Sequence, residues 1–284
     1  MTAATPRSKL VVGIDARIVH GHTGGVESVI IGLAQGLSSL DGDETYVFLA
    51  IEGLDDWIRP YVRGNARVLT VPDRRGPGSP RFRAWVKRSI PGVAWLRRRI
   101  PRENPWKGGP PQSDGTIERH GIHLMHFTWQ RGFFTSLPSI YHPHDLQYRH
   151  LPALFPPGEL AYRDSWYVPL SARASMVAVA SSWIRDDVIK EFALPEDKVR
   201  VIPFAPPIQA VGPVTSARIA EIKESRVLPD RFIFYPAQTW KHKNHIGLVT
   251  ALSLIRRRWG IVIPAVLTGR RNEFAASIDR KSVV

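Results

Sequence analysis

Residues 10–14 (Leu-Val-Val-Gly-Ile) are apolar without alternation. A strand with one wet face alternates, whereas one buried on both faces reads as an unbroken apolar run, the habit of a parallel sheet. The run leads into a glycine-bearing loop, His20–Gly25 (His-Gly-His-Thr-Gly-Gly). Then Val26, Val29, Ile30, Leu33, Ala34 and Leu37 recur at three- and four-residue steps, which lays one apolar stripe along a helix. Strand, glycine loop and helix open a βαβ unit, so an α/β fold is expected.

The same grammar continues. Thr45–Ile51, Ala66–Val71, His123–Phe127, Ser139–His142, Met176–Ala180 and Val199–Ile202 read as strands. Ser181 or Ser182 can cap a helix over Trp183–Phe192, with Asp186 and Asp187 early in it, where negative charge is favourable. Pro203–Val214 holds four prolines and no periodicity, which marks a linker. Beyond it, Arg231–Pro236 reads as a strand, Asn244–Arg258 as a helix and Ile261–Leu267 as a strand. One βαβ unit is short of what a Rossmann-like domain needs to bury its sheet. The expected organisation is a first domain over residues 1–204, a linker over 205–230 and the start of a second domain over 231–278. That second domain is read as incomplete.

Composition narrows the partners. The chain has no cysteine, so disulfides and thiolate metal sites are excluded. The longest apolar runs fall far short of a membrane span, and the polar N-terminus is no secretory signal, so a cytoplasmic protein is expected. Net charge is +14, and Asp73–Lys107 alone carries eleven basic against two acidic residues. This basic insertion, within residues 72–115, suits an anionic membrane surface or a phosphorylated partner, or is simply a solvated Arg-rich segment. No nucleic-acid module is in view.

Three loops carry candidate chemistry. Gly24 and Gly25 precede a helix, where free N–H groups and the helix dipole attract phosphate; the alternative is a plain tight turn. His142-Pro-His144-Asp145 follows a strand, at the end where ligands bind in open α/β sheets. There His144 and Asp145 can move or hold a proton, His142 and His144 can supply at most half a metal site, or the loop faces solvent. Trp240–His245 (Trp-Lys-His-Lys-Asn-His) opens a helix, and its lysines suit a diphosphate or an ordinary basic turn. Glu44 and Glu52 are separated by a full strand, roughly 27 Å, and do not form a working pair.

Taken together, these segments resemble family 4 of the retaining glycosyltransferases, over roughly Leu10–Val71 and Ile122–Gly269. Tyr235–His245 (Tyr-Pro-Ala-Gln-Thr-Trp-Lys-His-Lys-Asn-His) looks like a stretch of a mannosyltransferase-like branch. His144–Gln147 with Leu151-Pro152 and Phe155 is similar to another, and Gly24–Glu27 resembles the family's first glycine loop. The resemblance implies a GT-B fold of two Rossmann-like domains with parallel sheets and a nucleotide diphosphate sugar in the cleft between them, GDP-mannose being the first choice. It implies diphosphate contacts at Gly24, Gly25, Gln238, Lys243 and Asn244, with His144 bonding sugar or phosphate beside Asp145.

It further implies a glycan or lipid-linked acceptor, retention of anomeric configuration, no metal and no cofactor beyond the sugar donor, at the inner face of the plasma membrane. The alternative is a non-catalytic anion- or membrane-binding module acting through residues 73–107. Two departures stand out: Ala237 and Gln238 replace an arginine common in the family, and its E-x7-E motif is absent, Glu273 being followed at that spacing by Lys281. One reverse translation of Asp279–Val284 plus a stop opens a common sequencing-library adapter, so these residues are expected to be foreign and the fragment inactive.

Overall fold

The computed structural model describes residues 9–72, 108–205, 207, 212–272 and 274–282. Two compact units divide the chain, Met1–Ala210 and Val211–Val284.

The first unit is built on a seven-stranded, wholly parallel sheet. Its strands are β1 (Val11–Asp15), β2 (Thr45–Ile51), β3 (Ala66–Val71), β4 (Leu124–Phe127), β5 (Ser139–Tyr141), β6 (Met176–Val179) and β7 (Val199–Val201). The order is β3-β2-β1-β4-β5-β6-β7, so the chain builds outward from β1 on one side and then returns to extend the other. The sheet is buried on both faces, as the unbroken apolar runs predict. Successive side chains of β2 divide between two cores. Tyr46, Phe48 and Ala50 join Ile14, Ile30 and Ala34 in one. Val47 and Leu49 join Met125, Phe127, Tyr141 and Val179 in the other.

Three long helices flank this sheet: α1 (Gly25–Ser38), α2 (Pro157–Arg173) and α3 (Ser182–Phe192). Ser181 is the cap of α3, its Oγ accepting from the Ile184 N–H. Helix α2 is absent from the sequence reading, since Pro169 interrupts it and polar residues dilute its apolar stripe. Tertiary contacts hold it instead. Tyr167 and Leu170 are buried in the core, and Asp164 binds both Tyr148 Oη (2.5 Å) and Arg149, whose Nη1 also reaches Glu191 on α3.

The second unit pairs two parallel strands, β8 (Ile233–Pro236) and β9 (Ala265–Thr268), with helices α4 (Ser216–Ser225), α5 (His245–Trp259) and α6 (Ala275–Ser282). Helix α4 lies inside the stretch read as linker, with Thr215 Oγ1 as its cap. Strand β9 starts four residues later than its apolar run. Gly260 closes α5 in the left-handed region, and Pro264 has no N–H to donate to a ladder. Among the described residues, no helix is long and apolar enough to cross a membrane. The basic stretch at residues 73–107 lies outside the described residues.

Candidate functional site

Parallel strands place all their C-terminal ends on one rim, where ligands bind in open α/β sheets. The loops after β1, β4 and β5 meet there. Thr128 Oγ1, just past β4, donates to the Asp15 carbonyl at 2.6 Å. The Asp15 carboxylate is fully buried and takes two 2.8 Å bonds from Arg17, whose guanidinium lies 4.9 Å from the Phe133 ring. On the other side, His144 Nε2 sits 2.8 Å from the Thr128 carbonyl. Three strand ends are thus tied together through Thr128.

His144 is half-buried and has φ 68°, rare for a residue with a side chain. The Asp145 N–H closes a three-residue turn onto the Pro143 carbonyl at 3.1 Å, and such turns persist where surrounding contacts impose them. Burial lowers the His144 pKa, with the Thr128 bond and Asp145 opposing. A carbonyl can only accept, so Nε2 carries the proton and the neutral ring offers Nδ1 as an acceptor. Asp145 is exposed. One of its oxygens caps the one-turn helix Gln147–His150, accepting from the Gln147 N–H at 3.2 Å.

Two further histidines stand behind His144: His142 of the same loop, and His126, which the sequence did not single out. The His142 ring is 5.0 Å from that of His126, 5.9 Å from that of His144 and stacked at 5.6 Å on Phe204. His126 Nε2 and His142 Nδ1 are buried and have no partner among the described residues. Burial, then the neighbouring histidines, pushes His142 down to about 2; burial, then His144, takes His126 to about 4. Among the described residues, no group of three or more metal-ligating side chains is placed to hold an ion.

The first glycine loop is organised by Glu27. Its carboxylate accepts from the Gly21 N–H at 2.7 Å and pairs with His20 Nδ1 at 3.1 Å. Gly24 is the N-cap of α1 at φ 60°, a conformation glycine adopts freely, and provides no side-chain cap. The Glu27 N–H donates to the Gly24 carbonyl at 3.2 Å, which leaves the amides of Gly25 and Val26 for an outside acceptor, with the Glu27 carboxylate opposing an anion there. An acidic residue three after the cap is a readable sequence signal for this arrangement.

In the second unit, the turn from Ala237 to Asn244 follows β8 and leads into α5. Lys243 is exposed, and no carboxylate among the described residues pairs with it. Its carbonyl accepts from Tyr235 Oη at 2.5 Å. Asn244 sits at φ 53° and spends its Oδ1 on the Gly247 N–H, capping α5. Gln238 Oε1 accepts from the Trp240 indole at 3.0 Å. Both side-chain amides thus keep their NH2 groups as donors. Thr239 Oγ1 bonds Asn272 Oδ1 at 2.9 Å, fixing this turn to the loop after β9. The unit assembles Gln238, Lys243 and Asn244 on one donor-rich turn at a helix N-terminus, and the other unit carries Gly24, Gly25, His144 and Asp145 on its sheet rim.

A family model described as Glycosyltransferase Family 4 matches residues 23–205, from the end of the glycine loop through β7, with β1 and the Asp15–His22 stretch ahead of the match. No curated protein sequence matches the chain. Among solved structures, a glycosyltransferase from Rickettsia africae superposes with a TM-score of 0.54 at 16% identity, over 97% of this chain and 65% of that one. Anabaena Alr3699/HepE, in complex with UDP and glucose, gives 0.56 at 15% identity, over 97% and 66%. The N-terminal domain of trehalose-6-phosphate phosphatase from Candida albicans gives 0.54 at 10%, over 97% and 68%. At such identities the likeness is one of fold, and the chain spans just under two-thirds of the length of the first two.

Proposed function

The chain belongs to glycosyltransferase family 4, and from that premise we propose that it moves a sugar from a nucleotide diphosphate donor to a glycan or lipid-linked acceptor. The fold is α/β of the GT-B class. The observation that carries the reading is Lys243, an exposed lysine without a carboxylate partner among the described residues, one residue ahead of Asn244, the α5 cap. A diphosphate there meets the ammonium, the first amides of α5 and the side-chain amides of Gln238 and Asn244. These groups stabilise the charge that grows on the departing nucleotide and need no reorganisation to do so.

In the first unit, Gly24 and Gly25 stand at the α1 N-terminus, where backbone amides suit a phosphate. His144 has its Nε2 proton committed to Thr128, so it accepts from a sugar hydroxyl through Nδ1 and does not donate to phosphate. Asp145 keeps one oxygen for substrate hydroxyls. We read the transfer as retaining and the sugar as mannose from GDP-mannose, on the likeness of Tyr235–His245 to mannosyltransferases. A cytoplasmic setting fits such a donor.

Calorimetric titration of the chain with GDP and UDP tests the reading. The expected result is GDP binding that Lys243→Ala weakens by about tenfold, the loss of one charge-assisted contact of about 1.4 kcal/mol. Absence of binding by either nucleotide, or equal affinity in Lys243→Ala, refutes it; tighter binding of UDP refutes the mannose assignment alone.

A further inference from the structure

Arg131, in the loop after β4, is bracketed by three aromatic rings. Its guanidinium carbon lies 5.9 Å from the Trp129 centroid and 5.4 Å from both Tyr162 and Trp166. Tyr162 and Trp166 stand one turn apart on α2, so the helix presents both rings to the same group. Rings hold a planar cation by its faces and strip water from them. They leave the N–H edge bare. Among the described residues no carboxylate pairs with Arg131 and no acceptor takes its N–H groups. The buried Nε1 of Trp129, in the same loop, also lacks an acceptor among the described residues.

A partly desolvated guanidinium without a counter-ion is an unusual thing to keep, because half-buried charges are ordinarily paired. Two observations favour an external anion. The group sits on the rim that carries His144. Its free edge matches the two-oxygen face of a phosphate or carboxylate, and phosphate is the stronger, more highly charged partner.

We infer that the Arg131 bracket is an acceptor-recognition site, and that the acceptor carries a phosphate group which this guanidinium binds through two oxygens. Calling the ligand an acceptor rests on the transferase reading; the anion site itself does not. The phosphate can belong to a lipid headgroup or to a soluble phosphomonoester, and the experiment separates the two.

The chain is titrated with glycerol phosphate by tryptophan fluorescence. In parallel it is co-sedimented with phosphatidylcholine vesicles with and without phosphatidic acid. Arg131→Gln and Arg131→Lys are compared with the parent after circular dichroism has verified folding. The expected result is saturable phosphate binding that Arg131→Gln weakens by about tenfold or more. Arg131→Lys, which keeps charge but loses the planar fork, falls between.

A loss confined to phosphatidic acid vesicles assigns the phosphate to a lipid; a loss in both arms shows that the phosphate alone suffices. Unchanged binding in Arg131→Gln and Arg131→Lys, or no saturable response from the parent in either arm, overturns the inference. GDP titration of the same variants keeps the two readings apart. If Arg131→Gln loses phosphate binding while the parent binds no nucleotide, the anion site stands and the transferase reading falls. Intact nucleotide binding with no effect of Arg131 does the reverse.

Discussion

His142 makes the stability of the first unit sensitive to acid in a way that one substitution should abolish. Its ring is 4% exposed, lies among His126, His144 and Phe204, and has its pKa held at about 2 by burial. In the unfolded chain the same ring titrates near pH 6.5. The folded pKa is depressed, so the unfolded state binds the extra proton. Stability is therefore complete above about pH 6.5 and falls as the pH drops below it.

Each pH unit in that window removes about 1.4 kcal/mol, or about 2 kcal/mol by about pH 5. His126, with its pKa near 4, adds a comparable loss over the same range. The parent should lose about 4 kcal/mol through this pair between neutral pH and about pH 5, and His142→Phe about half of that. Phenylalanine keeps the stack on Phe204 and removes a buried nitrogen that has no partner among the described residues, so the variant should be no less stable at neutral pH. Urea unfolding of both proteins at several pH values measures this, and carboxylate contributions common to both cancel in the difference. Parallel stability curves for parent and variant would refute the reasoning.

Two substitutions elsewhere separate folding from ligand contact. A Cβ added at Gly25 meets nothing within 4 Å, so Gly25→Ala should keep the melting temperature of the parent or raise it; loss of GDP affinity in that folded variant, read by calorimetry, marks close approach of the diphosphate, and unchanged affinity removes Gly25 from the site. Asn244→Ala loses the α5 cap and forces alanine to φ 53°, for a cost of about 1–2 kcal/mol in urea unfolding, whereas Asn244→Gly, free of the backbone penalty, should lose only a few tenths.

The sheet of the first unit was legible because burial on both faces leaves strands such as Thr45–Ile51 almost wholly apolar, and the α1 stripe because it packs on one side only. Helix α2 was not, since Asp164, Arg163 and Pro169 interrupt its stripe and its stability comes from partners outside the helix, among them Tyr148 and Arg149. Helix α4 was lost inside a proline-rich linker for a similar reason, its faces being largely polar. The donor-rich turn at Lys243 was visible as a basic run at a helix start. The character of His144 was not: its tautomer depends on the Thr128 carbonyl, and its backbone on a turn that sequence does not announce. Nor was the Arg131 bracket, which needs Tyr162 and Trp166 from a helix some thirty residues onward.

Because every strand of the first sheet runs the same way, the residues that choose a ligand and the residues that hold the fold are segregated by height. The exposed positions of the loops over His20–Gly25, Thr128–Phe133 and His142–Gln147 can be rewritten together, provided that Thr128, Phe133, His142 and Leu146, which are buried, are kept. Related chains can therefore diverge in what the rim binds at little thermodynamic penalty. A library confined to those positions would sample new rim chemistry on a scaffold that still folds.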